Sequence, residues 1–146
     1  MADGITDSSP TKNFDRAIKV LLVDDVELFL ELEKTFFRRD EVDLLVACNG
    51  EEALELIEKE HPDVVFLDLY MPGINGDEVC RRVKQNIQTE NVPIVMVMQF
   101  GSIEDEQNCR QAGCDDILYK PVRKESFISA ARRNMVIAER VHPRVD

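Results

Sequence analysis

"DVVFLDLYMPGING" (residues 63–76) is an apolar run that ends on a carboxylate, Asp68, and is followed at once by Pro72 and Gly73. A continuous apolar run of this length predicts a strand at 63–68 that is buried on both faces, as in a parallel sheet. A buried, unpaired carboxylate is costly. Asp68 must therefore be protonated, paired, bound to a metal or exposed at the edge of the sheet.

Four further apolar runs alternate with segments of helical pattern along the chain: 18–23, 43–47, 92–98 and 115–119. The first helical segment places Leu28, Leu32 and Phe36 four residues apart, which predicts its buried face. The last helical segment runs from about 124 to 140. Five alternations of strand and helix predict an α/β fold in which helices cover both faces of a parallel sheet.

Length and composition place the chain among ordinary globular proteins of one domain, after a polar leader at 1–16 that we expect to be disordered. A net charge of -11 argues against direct nucleic-acid binding, because phosphate contacts need Lys and Arg. The four cysteines lack the spacing of a zinc site. No apolar run reaches membrane length, so we expect no membrane insertion and a cytoplasmic location.

Charged residues lie at the carboxyl ends of three predicted strands: Asp24 and Asp25 follow the first, Asp68 ends the third and Lys120 follows the fifth. The carboxyl ends of parallel strands meet at one edge of a sheet, where ligands bind. Three carboxylates repel one another unless a cation joins them, and Mg²⁺ prefers oxygen ligands. Each residue alone could be a helix cap or a turn. Together they predict a Mg²⁺ site where an ionised aspartate attacks a phosphoryl group, with no separate general base.

Four motifs occur in an order and spacing that resemble the receiver domain of two-component response regulators: "LLVDD", "FLDLYMPGINGDEVCRRVK", "PIVMVM" and "AGCDDILYKP". The resemblance covers residues 17–140. It implies a doubly wound, flavodoxin-like (βα)5 fold with a five-stranded parallel sheet in the order 2-1-3-4-5. It also implies that Asp68 accepts a phosphoryl group from a sensor histidine kinase or a phosphotransfer protein.

The resemblance also implies roles for the neighbouring residues. Asp25 would bind Mg²⁺ directly, Asp24 largely through water, and the backbone carbonyl of Tyr70 would complete the protein ligands together with Asp68. Lys120 would pair with Asp68 or its phosphoryl group, and Pro121 would follow a cis peptide. On this interpretation Asp68 is the exposed end of a buried strand, held by the metal and by Lys120.

Two positions depart from the family pattern. Met98 stands where receivers carry Thr or Ser, and a thioether cannot donate a hydrogen bond. Ile117 stands where they carry an aromatic residue, and we expect Tyr119, directly before Lys120, to point to the other face of its strand. The phosphorylation chemistry is thus expected to be intact, while the usual switch is absent.

Three more residues flank the predicted site: Gln99, Phe100 and Pro121. Phe100 and Tyr70 are bulky where hydrolysis needs an ordered water, so we hypothesise that they slow loss of the phosphoryl group. The alternative is an exposed aromatic patch for a partner. A homodimer through the fourth helix, fifth strand and fifth helix is a further hypothesis.

Arg140 and Arg144 have the spacing of the motif that opens PilZ domains, although basic residues are common at helix ends. Residues 141–146 are thus interpreted as a linker or as the start of a truncated following domain. Cyclic di-GMP is expected as a ligand only if a PilZ domain follows.

Three functions remain open at this point. The leading one is a signalling phosphoacceptor with an atypical switch, which is not an enzyme in the usual sense. The second is a degenerate receiver that acts as a phosphorylation-independent interaction module, which Met98 and Ile117 favour. The third is a phosphatase of the haloacid dehalogenase type, which needs a second aspartate two residues after the first, where this chain has Tyr70.

Overall fold

Five strands and five helices alternate along the chain. The computed structural model describes residues 17–141, with side chains from 17 to 135. The predicted leader (1–16) and Arg144 of the PilZ-like spacing lie outside these residues, and Arg140 lies within the last helix. The elements are β1 (Ile18–Val23), α1 (Glu27–Lys34), β2 (Val42–Ala47), α2 (Gly50–Glu60), β3 (Val64–Asp68), α3 (Gly76–Gln85), β4 (Ile94–Met98), α4 (Ile103–Ala112), β5 (Asp116–Tyr119) and α5 (Lys124–Val141).

The strands form one parallel sheet in the order β2-β1-β3-β4-β5, which confirms the predicted fold. In the register of β1 and β3, Val23 lies opposite Leu67. The two strands therefore end side by side. The next residue in each case, Asp24 after β1 and Asp68 at the end of β3, lies at the same edge of the sheet.

Two hydrophobic cores cover the two faces of the sheet, and residues of the central strands alternate between them. In β3, Val65 and Leu67 pack toward α2, α3 and α4, whereas Val64 and Phe66 pack toward α1 and α5. Phe66 stacks on Phe127 of α5 with ring centroids 4.4 Å apart. Because both faces are covered, apolar side chains face both ways, which explains the continuous apolar runs in the sequence.

The predicted buried face of α1 is wrong in two of its three positions. Leu28 is 74% exposed and Leu32 is 46% exposed, while Leu30 and Glu33 are buried beneath them. Of the predicted face, only Phe36 is buried, and it follows the end of the helix. The helix thus turns a carboxyl group toward the core and keeps apolar side chains at its surface.

Side chains cap the first turns of α2 and α4. The side chain of Asn49 accepts a hydrogen bond from the Glu52 amide, and that of Ser102 accepts one from the Asp105 amide. Gly113 ends α4 with φ 97°, in the left-handed region. Within the described residues, no helix combines the length and the apolar character that crossing a membrane requires.

Candidate functional site

Three carboxylates and one ammonium group meet at the carboxyl ends of β1, β3 and β5. One carboxylate oxygen from each of Asp24, Asp25 and Asp68 lies within 4.8 Å of the others. Nζ of Lys120 lies 2.8 Å from Oδ1 of Asp68. The structure therefore brings together the four charged residues that the strand ends placed at this edge.

Asp68 is buried, contrary to the expectation that it is an exposed strand end. It is 6% exposed, and the chain continues beside β4 after it, where the amide of Leu69 donates to the carbonyl of Val97 at 3.1 Å. Asp24 is also buried, whereas Asp25 is exposed. A buried carboxylate must be protonated, paired or bound to a metal, and in this structure Asp68 is paired with Lys120.

Burial and crowding change the ionisation of the site. Burial raises the pKa of Asp68 to about 6, and the charge of Asp24 adds to the rise, while the hydrogen bond from Lys120 opposes it. Burial also raises the pKa of Asp24. For Lys120, burial acts to lower the pKa, but the hydrogen bond and charge of Asp68 outweigh it, so the net shift is upward. The lysine is therefore charged at neutral pH, but its single positive charge does not balance the negative charge of the three aspartates.

The charge balance at this edge fits a divalent cation. Three ionised carboxylates and one ammonium group leave two negative charges uncompensated (three minus one). The candidate ligand atoms are hard carboxylate oxygens, which suit Mg²⁺. With its oxygens clustered and one carboxylate exposed, the site fits a metal that keeps several water ligands.

The loop after Asp68 turns sharply into α3. Gly73 adopts φ 84°, and the amide of Gly76 donates to the carbonyl of Leu69 at 2.7 Å. Asn75 accepts a hydrogen bond from the amide of Met71 through its side chain. An ideal Cβ at Gly76 would lie only 2.3 Å from the backbone oxygen of Asp68. Helix α3 thus begins in direct contact with the backbone that carries the phosphoacceptor candidate.

Replacing Gly76 with alanine is expected to destabilise the fold by about 1 to 3 kcal/mol, because the new methyl group meets rigid backbone. The matched control is Gly50→Ala, also at a first helical position, where the nearest atom is Cγ1 of the Ile74 side chain at 2.4 Å. Cγ2 of the buried Val79 follows at 2.8 Å, so alanine at Gly50 also requires repacking, but of side chains and not of backbone, and the loss should be smaller. Urea unfolding of the two variants checks the prediction, and equal losses would contradict it.

The two positions that depart from the family pattern are both packed in the core. Met98 is 2% exposed, and its sulfur lies 3.9 Å from the Cys109 sulfur on α4. Ile117 is partly buried against the same cluster. Tyr119 also packs on this cluster, so the expectation that it points to the other face was wrong. Ile117 and Tyr119 are two residues apart, and side chains at that spacing share a face of a strand.

Aromatic side chains beside the site contact the first turn of α4. The Tyr70 hydroxyl donates to Oδ1 of Asp105 at 2.5 Å, and the Tyr119 hydroxyl donates to Oε1 of Glu106 at 2.5 Å. Phe100 packs edge-on against Tyr119, with ring centroids 5.2 Å apart. Nevertheless, Phe100 is 78% exposed and Tyr70 is 59% exposed.

Two other flanking residues are exposed. Gln99 and Pro121 lie at the surface, and the bond between Lys120 and Pro121 is cis, as the resemblance implied. Both residues line a cavity of about 420 Å³ between α1 and the segment after β5. This cavity opens beside Lys120, which also lines it.

Glu33 is the residue of this region that sequence reasoning missed. It is 3% exposed, and its carboxyl group has no hydrogen bond or ion pair with any residue that the structure describes. Burial raises its pKa to about 8, and the charges of Asp24 and Asp68 add to the rise. The signal was present in the sequence, because Leu30, Glu33 and Phe37 have the i, i+3, i+7 spacing of a buried helical face.

Comparison with known families identifies the arrangement. The model of the response regulator receiver domain matches residues 20–132, which include all four charged site residues. The chain belongs to this family. The receiver is therefore a signalling domain of two-component systems.

The receiver resembles proteins of known name. Protein PilG of Pseudomonas aeruginosa is 28% identical over 118 residues, which cover 81% of this chain and 87% of that protein. The chemotaxis response regulator CheY4 of Vibrio cholerae is 28% identical, with a TM-score of 0.75 over 82% of this chain and 99% of that one. The receiver domain of the sensor histidine kinase PA1611 from Pseudomonas aeruginosa, solved with magnesium in its active-site cleft, has the same fold (22% identity, TM-score 0.76, covering 83% and 99%).

Proposed function

We propose that this receiver takes a phosphoryl group from a phosphohistidine onto Asp68. The observation that carries the proposal is the Asp68–Lys120 pair beside Asp24 and Asp25 at one sheet edge. An Asp68 carboxylate oxygen forms a bond to phosphorus while the bond from phosphorus to the imidazole nitrogen breaks. The imidazole keeps the electron pair of that bond. Lys120 stays protonated and balances charge on the phosphoryl oxygens.

Mg²⁺ is the proposed cofactor, with Asp25 and Asp68 as direct ligands, Asp24 acting largely through water and the backbone carbonyl of Tyr70 completing the protein ligands. When bound, Mg²⁺ supplies positive charge to the phosphoryl oxygens. The clustered carboxylate oxygens support this assignment. The magnesium in the PA1611 receiver supports it by likeness of fold.

The phosphodonor is proposed to be a cytoplasmic sensor histidine kinase or phosphotransfer protein that docks on α1. Apolar side chains are exposed on this helix next to the site, where Leu28 is 74%, Leu32 46% and Phe29 39% exposed. The Phe29 ring also lies under Lys120, with Nζ 5.5 Å from the ring centroid. An exposed apolar surface beside the reacting carboxylate suits a protein donor better than a small molecule alone.

The test is incubation with Mg²⁺ and acetyl phosphate, followed by intact mass measurement. The gain of one phosphoryl group supports the proposal. If the wild-type chain gains none, the alternative function is favoured: a degenerate receiver that docks partners without phosphorylation. This alternative is supported by Met98, which is buried and has no hydroxyl group to bind a phosphoryl group.

Tyr70 and Phe100 are proposed to slow loss of the phosphoryl group by restricting water at Asp68. We expect Tyr70→Asn and Phe100→Glu to shorten the lifetime of the phosphorylated protein, because each removes a bulky ring near the site. Following the decay of the phosphorylated mass after acetyl phosphate is removed measures the lifetime. Lifetimes equal to that of the wild type would contradict this role and would favour the alternative, that the two rings form an exposed surface for a partner.

Phosphorylation is also proposed to change self-association, through a homodimer that uses α4, β5 and α5. Sedimentation with and without beryllofluoride, which mimics the phosphoryl group, tests this assembly. An unchanged sedimentation coefficient would remove the homodimer from the proposal.

A further inference from the structure

Helix α4 is weakly anchored in the hydrophobic core. The buried residues of this helix are Cys109 and Ala112, and both lie in its C-terminal half. Its first turn carries three acidic residues instead: Glu104, Asp105 and Glu106. The N-terminal half of α4 therefore depends on polar contacts for its position.

Those polar contacts come from three different parts of the chain. Ser102 caps the helix through the amide of Asp105 at 3.1 Å. The hydroxyl group of Tyr119, at the end of β5, donates a hydrogen bond to Glu106. That of Tyr70, in the loop after β3, donates one to Asp105. Of these three residues, only Tyr70 belongs to the loop that leaves Asp68.

Tyr70 therefore connects the phosphorylation site to α4 by a path that avoids Met98. It follows Asp68 by two residues, and its hydroxyl group reaches Asp105 across 35 residues of sequence. The two oxygens are 2.5 Å apart, so a displacement of the loop by about 1 Å or more would take them beyond hydrogen-bond distance.

Resting on the proposed function, we infer that Tyr70 replaces the missing switch: phosphorylation of Asp68 shifts the loop, breaks the hydrogen bond from Tyr70 to Asp105 and releases the first turn of α4. The output of this receiver is then a change in the order of α4. It does not require a hydroxyl group at Met98 or an aromatic ring at Ile117.

Amide hydrogen exchange of residues 103–112 tests the inference on the full chain in Mg²⁺, with and without beryllofluoride. In the wild type, beryllofluoride should speed exchange in the first half of α4 by about five-fold, the factor expected from the loss of one exposed hydrogen bond. In Tyr70→Phe, exchange there should already be fast without beryllofluoride and should change little on its addition. This variant keeps the ring and the backbone carbonyl, and residue 70 is 59% exposed, so the fold should be retained.

Tyr119→Phe is the matched control. Like Tyr70→Phe, it removes one 2.5 Å hydrogen bond from a tyrosine hydroxyl to a carboxylate in the first turn of α4. The difference is that Tyr119 belongs to β5 and not to the loop after Asp68. We expect faster exchange in the free protein and a preserved further response to beryllofluoride. A response lost equally in both variants would show general loosening of α4 and would overturn the role of Tyr70.

The remaining outcomes separate this inference from the proposed function. Phosphorylation of the wild type by acetyl phosphate, together with unchanged exchange in α4, would overturn the inference alone. Retention of the full response in Tyr70→Phe would do the same. No phosphorylation of the wild type would overturn both.

Discussion

Replacing Asp68 with asparagine is expected to reduce phosphoryl uptake from acetyl phosphate and Mg²⁺ to an undetectable level, while the wild-type chain gains the mass of one phosphoryl group. Asparagine has nearly the same shape as aspartate, but its neutral amide is a poor nucleophile and a weaker partner for a cation. The Asp68 side chain is buried against Lys120, so the variant removes one charge and little volume. Intact mass measurement after a fixed incubation gives the comparison.

Asp43→Asn is the control for this experiment. Asp43 is exposed and lies near the start of β2, at the opposite end of the sheet from the site. The same change of one charge there should leave phosphoryl uptake at the wild-type level. Equal labelling of Asp68→Asn and the wild type would place the phosphoryl group on another residue and would refute Asp68 as the acceptor.

Glu33→Gln is expected to remove a large pH dependence from the free energy of unfolding. Burial raises the pKa of Glu33 from 4.5 to about 8 in the folded protein. Between these values the folded state keeps a proton that the unfolded state releases, so stability is greatest below the unfolded pKa and falls as the pH rises through the folded one. The full difference amounts to on the order of 5 kcal/mol.

Urea unfolding from about pH 5 to about pH 9 in metal-free buffer measures this dependence. The wild type should lose stability with rising pH more steeply than Glu33→Gln, since Asp24 and Asp68 remain in both proteins. Glu31→Gln, on the exposed side of the same helix, serves as the control and should follow the wild type. Parallel curves for the wild type and Glu33→Gln would mean that Glu33 is ionised in the folded protein.

The sheet could be predicted from the sequence because its central strands are covered on both faces. Every residue of β3 and β4 is buried, so each strand is a continuous apolar run that stands out from the helical segments. The site followed from the same property. Once strands are parallel, their carboxyl ends lie at one edge of the sheet, so the sequence predicts that Asp24, Asp68 and Lys120 lie close together.

The buried face of α1 was predicted wrongly because this helix has apolar side chains on its exposed side and a carboxyl group on its buried side. Leu28 and Leu32 have helical spacing, but they lie on the outer side of the helix, and the inner side carries Glu33. Spacing alone cannot say which of two apolar stripes faces the sheet. The orientation depends on how Leu30 and the residues after the helix pack on Phe66 and Phe127, which is a tertiary property.

The contact between Tyr70 and Asp105 could not be predicted from local pattern either. Tyr70 lies in the loop after β3 and Asp105 lies in α4, 35 residues later, and no sequence pattern links the two positions. Tyr119 is a different case, because strand alternation places it on the same face as Ile117 and that rule was available from the sequence. The burial of Asp68 was missed because it depends on how the chain continues past the end of β3.

The register of Val23 opposite Leu67 also bears on how the protein is made. Asp24 and Asp68 are distant in the chain and become neighbours only when β1 and β3 have paired, and such long-range pairing is a slow step in folding because a long loop must close first. If Asp68 is the phosphoacceptor, as proposed, phosphoryl uptake requires the centre of the sheet to be complete. A newly synthesised or partly unfolded chain is then expected to take up no phosphoryl group until that pairing has formed.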